Sequence, residues 1–172
     1  MINIYVADLK AYNEGNLVGE WIELPTDEES IREVLKKLSH NWQHDYAIHD
    51  YEAPRGVRIE EYTDPFRLNT LVQELEDYDL GEEELEALLE YAGSLEEAVR
   101  MLSQDAVHFI HLKNDSLDSW AALAEELVYE YDWLEIPEYL RTYIDYEKLG
   151  KELQTTGNFY IAQNGVAIEY VE

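Results

Sequence analysis

Carboxylates are the groups with chemistry to offer in this chain, and the segment Ser116–Leu153 sets them among aromatic rings with only Arg141, Lys148 and Lys151 to oppose them. At 3.6 residues per turn, Leu117, Trp120, Ala121, Ala124, Leu127, Val128 and Tyr131 fall on one apolar stripe. Asp118, Glu125, Glu126 and Glu130 fall on the opposite side, facing water. Carboxylates spaced i, i+3 or i, i+4 stand roughly 5 to 6 Å apart, which is the scale of phosphate spacing along a nucleic-acid strand. Such a column could transfer protons, bind cations or meet a basic surface.

Proton transfer needs one acid of raised pKa beside an ionised partner, and no spacing singles out such a pair among 39 acidic residues. The chain has no G-x-S-x-G, no glycine-rich phosphate loop and no cysteine nucleophile. We assign no catalytic residue and read the chain as a non-enzyme. For metals, His40 and His44 have i, i+4 spacing, but His108 and His111 lie three apart on a predicted strand and point to opposite faces. His49-Asp50, on a strand between tyrosines, is read as making structural hydrogen bonds. Asp77-Tyr78-Asp79 and Glu82-Glu83-Glu84 lack the spacing and central glycine of an EF-hand loop. No metal site and no cofactor is assigned; weak, adventitious binding of divalent ions is the expectation.

Recognition remains, and the charge favours it. With 39 acidic and 12 basic residues the net charge is −27, beyond the roughly 2 to 8 that solubility asks of a small domain. The self-repulsion costs stability. Nucleic acid and anionic membranes repel such a chain, so its partners are cations or basic protein surfaces. Disorder is argued against by 46% hydrophobic residues with 14 Tyr, 4 Trp and 3 Phe. The absence of cysteine fits a reducing compartment. Without a signal peptide or an apolar run near the roughly 20 residues of a membrane span, the chain is expected to be soluble and cytoplasmic.

Positioning these groups falls to three regions. In residues 1–63, Ile2, Ile4 and Val6 alternate on a strand, Asn13-Glu14-Gly15-Asn16 supplies a turn, and LVGEWIEL resumes the extended pattern. Thr26 with Glu29 has capping-box spacing before a helix that buries Ile31, Val34, Leu35 and Leu38, and Tyr46–Tyr51 reads as a third strand. Residues 64–104 carry only helical signals. They open at Asp64-Pro65, run through Leu68, Leu71, Val72 and Leu75, then Leu85, Leu88 and Leu89 up to Gly93, and close with a helix capped by Ser94 and Glu97. Such an insert has little core of its own and reads as a spacer that holds charge out.

Residues 105–172 return to a strand at AVHFIHL. The acidic helix follows, then short helices from Glu138 and after Asp145, and a hairpin whose Asn164-Gly165 signals a type I′ turn. The fold class is therefore α+β: two α+β units, each a three-stranded antiparallel sheet with helices, flanking a short helical domain. Acids exceed bases by 14 to 6 over 1–65, 11 to 2 over 66–103 and 14 to 4 over 104–172. The charge is spread along the whole chain, unlike a globular domain with an acidic tail.

Tyr129 lands near the middle of the polar face, and Tyr131, Trp133 and Tyr139 follow closely. Exposed aromatics among carboxylates suit a protein interface, and a tertiary contact with neighbouring elements accounts for them equally well. Duplex DNA carries one charge per roughly 1.7 Å of axis, so 27 charges correspond to about 46 Å, on the order of 13 to 14 base pairs. Mimicry of DNA is physically coherent. Composition equally allows an acidic chaperone or general interaction protein for basic nucleic-acid-binding proteins, or a halophile-like surface.

Three stretches carry a resemblance. YVADLKAYNEGNLVGEWIELP at 5–25, YAIHDYEAP at 46–54 and PEYLRTYIDYEKLGKEL at 137–153 resemble the characteristic segments of the ArdA antirestriction family, with similar order and spacing over nearly the full length. The resemblance implies an elongated chain of three small acidic domains, a homodimer joined through its C-terminal part, and a curved surface imitating bent B-form DNA. It further implies a partner, the DNA-binding groove of type I restriction-modification enzymes, and carriage on a mobile genetic element. The family's antirestriction motif resembles Ala124–Asp132. The chain departs from the family's Tyr-Val-Glu-Glu-Thr-Gly-like string, reading Leu127-Val128-Tyr129-Glu130-Tyr131-Asp132.

The candidate mimic surface comprises Glu74, Asp77, Glu82, Glu83, Glu86, Glu90, Asp118, Glu125, Glu126, Glu130, Asp132, Glu135, Glu138, Asp145 and Glu147. The candidate dimer interface comprises Tyr129, Tyr131 and Trp133.

Overall fold

A computed structural model describes residues 2–38, 45–114, 116–131 and 133–171. His40, His44 and Asp132, all singled out above, lie outside the described residues. The chain forms an α+β fold with two three-stranded antiparallel sheets, and it divides into two compact units. One holds residues 1–80 with 92–99, the other 81–91 with 100–172.

In the first unit, β1 (Ile2–Asp8) lies between β2 (Gly19–Leu24) and β3 (Tyr46–Glu52). Ile2, Ile4, Val6, Ile22 and Leu24 are buried, as period-two alternation on a one-sided sheet demands. The β1–β2 hairpin turns at Gly15, within the expected Asn13–Asn16 turn, and adds a one-turn helix ahead of it. Asp8 accepts from the amides of Lys10 and Ala11 (2.9 and 3.0 Å), nucleating the one-turn helix α1 (Leu9–Asn13) before Gly15 turns the chain at φ 85°.

The predicted capping box is displaced by one residue. Asp27 accepts from the Ser30 amide (2.9 Å) and hydroxyl (2.7 Å) ahead of α2 (Glu28–Leu38), and Glu29 turns outward to Arg32 (2.8 Å). The Thr26 backbone is claimed instead by the buried Asn69 of α3 (Pro65–Glu76), whose amide bonds it in both directions (2.8 and 2.9 Å). Asp64 caps α3 at the Phe66 amide (3.0 Å) with Pro65 in the first turn, as its sequence indicates.

In the second unit, β6 (Val166–Tyr170) is the central strand between β4 (Val107–His111) and β5 (Phe159–Ile161). The β5–β6 loop is one residue longer than the expected type I′ turn. Gly165 donates to the Ala162 carbonyl (3.0 Å) and alone takes positive φ (83°), the geometry of a type I turn closed by a glycine bulge. Asn164 is held out of the left-handed region by its own bonds, accepting from Val166 (3.1 Å) and donating to the Glu83 carbonyl (2.8 Å).

On this sheet lies α6 (Ser119–Tyr129), with α8 (Tyr146–Thr156) against it, around a core of Ile110, Leu123, Ala124, Leu127, Leu153 and Ala167. Gly150 lets α6 and α8 approach closely: a Cβ there would stand 2.6 Å from the Trp120 carbonyl carbon and oxygen. The remaining helices are α4 (Glu82–Ala92), α5 (Leu95–Ser103) and α7 (Glu138–Arg141). Of the central helical region, α3 belongs to the first unit and α4, apart from its last residue, to the second.

Candidate functional site

The acidic helix is more deeply embedded than its pattern indicates. Packed on the sheet and against α8, it buries Ala121, Ala124, Leu127 and Val128 of the expected stripe and Ala122 and Leu123 beyond it. Glu126 is buried with them at 6% exposure, a correction to its expected place on a water-facing column. The physical reason is a local partner. Its Oε1 accepts from the Lys113 amide (3.3 Å), and its Oε2 lies 3.4 Å from the Lys113 ammonium, which also reaches Glu130 at 3.4 Å. Glu125 is half-buried and accepts from Asn114 (2.7 Å); Asp118 caps α6 at the Trp120 amide (3.0 Å).

Glu125, Glu126, Tyr129 and Glu130 line a groove of about 270 Å³. Tyr129 is 38% exposed, with the Arg141 guanidinium 5.6 Å over its ring and donating to its carbonyl (3.3 Å). Beside it, Tyr146 donates to the Arg141 carbonyl (2.7 Å), and burial, then the neighbouring Tyr129, push its phenol up to about 12. Tyr131 is 52% exposed, and Trp133, 44% exposed, sets its ring edge-on to Phe159 at 6.5 Å.

A second group of acids stands on α4. Glu82 and Glu83 are exposed and Glu86 is half-buried. Glu90 is engaged inside the unit, accepting from the Tyr160 hydroxyl (2.6 Å); that bond and then burial push the Tyr160 phenol up to about 12. Glu84, absent from the candidate surface, bonds His111 (3.1 Å) and the Gly81 amide (3.0 Å), and these hold its carboxyl below the ordinary value. Its signal was present in the sequence, since a glutamate at the third helical position reaches back to the preceding amide. His108, three residues from His111, lies instead 3.7 Å from Glu169.

Glu135, Glu138, Asp145 and Glu147 are exposed around α7 and the start of α8, where Asp145 caps the Lys148 amide (3.0 Å). In the first unit, Glu74 is half-buried and Asp77 exposed at the end of α3. Among the described residues no three His, Asp or Glu side chains converge as metal ligands, and no helix is long and apolar enough to cross a membrane. The exposed acids among the described residues face water from several separate elements.

That dispersal directs attention to the chain as a whole. A family model described as "Antirestriction protein (ArdA)" matches residues 4–168. The chain belongs to the ArdA antirestriction family. Comparison with curated proteins gives no match. Within this ArdA chain, the segment resembling the family's antirestriction motif, 124–132, runs from the buried core of α6 out to exposed Glu130 and Tyr131.

Proposed function

We propose that this ArdA chain is a DNA mimic that occupies the DNA-binding groove of a type I restriction-modification enzyme. The observation that carries the reading is the spread of water-facing carboxylates over α4, the two ends of α6, α7 and α8, with no three His, Asp or Glu converging as metal ligands among the described residues, in a member of an antirestriction family. A groove built for phosphates gains affinity from counterion release, and fixed carboxylates draw on the same term. In this reading the protein works in the cytoplasm as a homodimer joined near Tyr129, Tyr131 and Trp133, is carried by a mobile element, and comprises domains 1–63, 64–104 and 105–172.

Titration into a type I enzyme bound to labelled duplex tests the proposal. The expected result is displacement of the DNA, weakening steeply as salt rises. No displacement at low salt would overturn it. Equal binding to unrelated basic nucleoid proteins would instead favour a general acidic chaperone.

A further inference from the structure

The outer face of the first unit's sheet carries a recognition chemistry of its own. Strand register sets Glu23, Asn3 and Glu52 in one row across β2, β1 and β3, with Trp21, Tyr5 and Asp50 in the next. Alternation sends Ile4, Ile22 and Leu24 into the core, so these rows face away from it. Trp21 is 49% exposed, its ring tilted against Tyr5 with centroids 5.4 Å apart. Asn3 donates to Glu52 (3.0 Å), fixing that carboxylate beside the ring pair. Asn3, Trp21, Glu23 and Glu52 line a pocket of about 340 Å³, whose described lining holds two carboxylates and no basic side chain.

The same unit shows what a phenyl face with two carboxylates does. On α2, the Arg32 guanidinium lies 5.7 Å over the Phe66 ring while its nitrogens meet Glu29 at 2.8 Å and Glu28 at 3.3 Å. An aromatic face beside two acids therefore already clamps an arginine within this chain. Indole attracts a cation more strongly than phenyl. Guanidinium is planar, weakly hydrated and forked, so it can stack and donate at once, whereas an ammonium is compact and strongly hydrated. Glu23 and Glu52 stand on the two strands flanking β1, roughly 10 Å apart at the backbone, close enough for their side chains to reach the two edges of one guanidinium.

We propose that this face binds an arginine side chain presented by a basic protein surface, its guanidinium stacked on Trp21 and its N–H groups shared between Glu23 and Glu52. The site is independent of the groove-filling function above, because it reads the shape of one side chain and not the sum of charge.

The test follows the tryptophan indole N–H signals of the whole ¹⁵N-labelled protein during titration with acetyl-Gly-Arg-Gly-amide or its lysine counterpart at constant ionic strength. The Trp21 signal is identified by its loss in Trp21→Phe. The expected result is a saturable shift of that signal, at least about fivefold tighter for arginine than for lysine. Combining Glu23→Gln with Glu52→Gln weakens it about tenfold. All the substituted side chains are exposed on the outer face, so circular dichroism and thermal midpoint should match the parent. Equal response to arginine and lysine, or an unchanged affinity in the double variant, would overturn the proposal. A lower sedimenting mass for Trp21→Ala would overturn it too, by showing that a second copy covers the face.

Discussion

At the scale of the residue, carboxylates of one chemical type divide into two kinds, those held inside a unit and those left to water. Glu126 is the clearest of the first kind, buried and bonded to both the amide and the ammonium of Lys113. Glu126→Ala should lower stability by about 1 to 3 kcal/mol, since it removes a carboxylate's hydrogen bond from the Lys113 amide and its pairing with the ammonium. Glu130→Gln, on an exposed side chain, should stay within about 0.5 kcal/mol, and urea midpoints distinguish the two. Glu84 gives a pH signature. Its carboxyl is held below the ordinary 4.5, first by the His111 hydrogen bond and then by the Gly81 amide. A depressed pKa contributes stability above the unfolded value that is lost as pH falls through the folded one. The thermal midpoints of the parent and Glu84→Gln should therefore differ most near neutrality and converge progressively below pH 4.5. Tyr160 has the opposite sense: its contribution is complete below the ordinary 10 and is lost as pH rises from there through the folded value of about 12. Spectrophotometric titration of Tyr160→Phe should lose one of the two phenols near 12, Tyr146 keeping the other.

At the scale of the element, the crossing of α6 and α8 depends on Gly150. Alanine is the better helix former by about 1 kcal/mol, yet its Cβ would meet the Trp120 backbone at 2.6 Å. Gly150→Ala should therefore destabilise by a net 1 to 3 kcal/mol, about the cost of overpacking, in a denaturant melt. Local signals made much of the fold legible before any coordinates: the alternation of Ile2, Ile4 and Val6, the Asp64-Pro65 start of α3, and the apolar runs of α3 and α4 all appear where expected. What could not be read were partners distant in sequence. Asn69 reaches 43 residues back to Thr26 and shifts the cap of α2 to Asp27, and Asn164 bonds Glu83 and keeps its turn from the type I′ form. The embedding of α6 was hidden for the same reason, because a helix touched by a sheet and by α8 shows the periodicity of a half-exposed one until both neighbours are known. Asp118 and Glu130 face water as their helix positions indicate, whereas the burial of Glu126 depends on Lys113, 13 residues away, and could not be read.

At the scale of the molecule, the proposed mimicry predicts graded loss. Neutralising exposed acids in groups of three across α4, the two ends of α6, α7 and α8 should weaken competition with DNA stepwise and flatten its salt dependence by an amount proportional to the contacts removed. A single substitution that abolished competition would point to a discrete site. Tyr129→Ala and Trp133→Ala should lower the sedimenting mass if the two aromatics join subunits, and an unchanged mass for both would rule that out. The two sheets also differ in when they can close. In the first, the central strand β1 is made before either neighbour, so all three strands exist once Glu52 has been added. In the second, the central strand is β6, and β4 has no partner until Val166–Tyr170 emerge. At synthesis rates of roughly 5 to 20 residues per second, the interval from His111 to Val166 lasts about 3 to 11 s, with an open strand edge throughout. A nascent chain halted before Val166 would thus carry a complete first sheet and two orphan strands, β4 and β5, which makes Val166–Tyr170 the residues that commit the second unit to its fold.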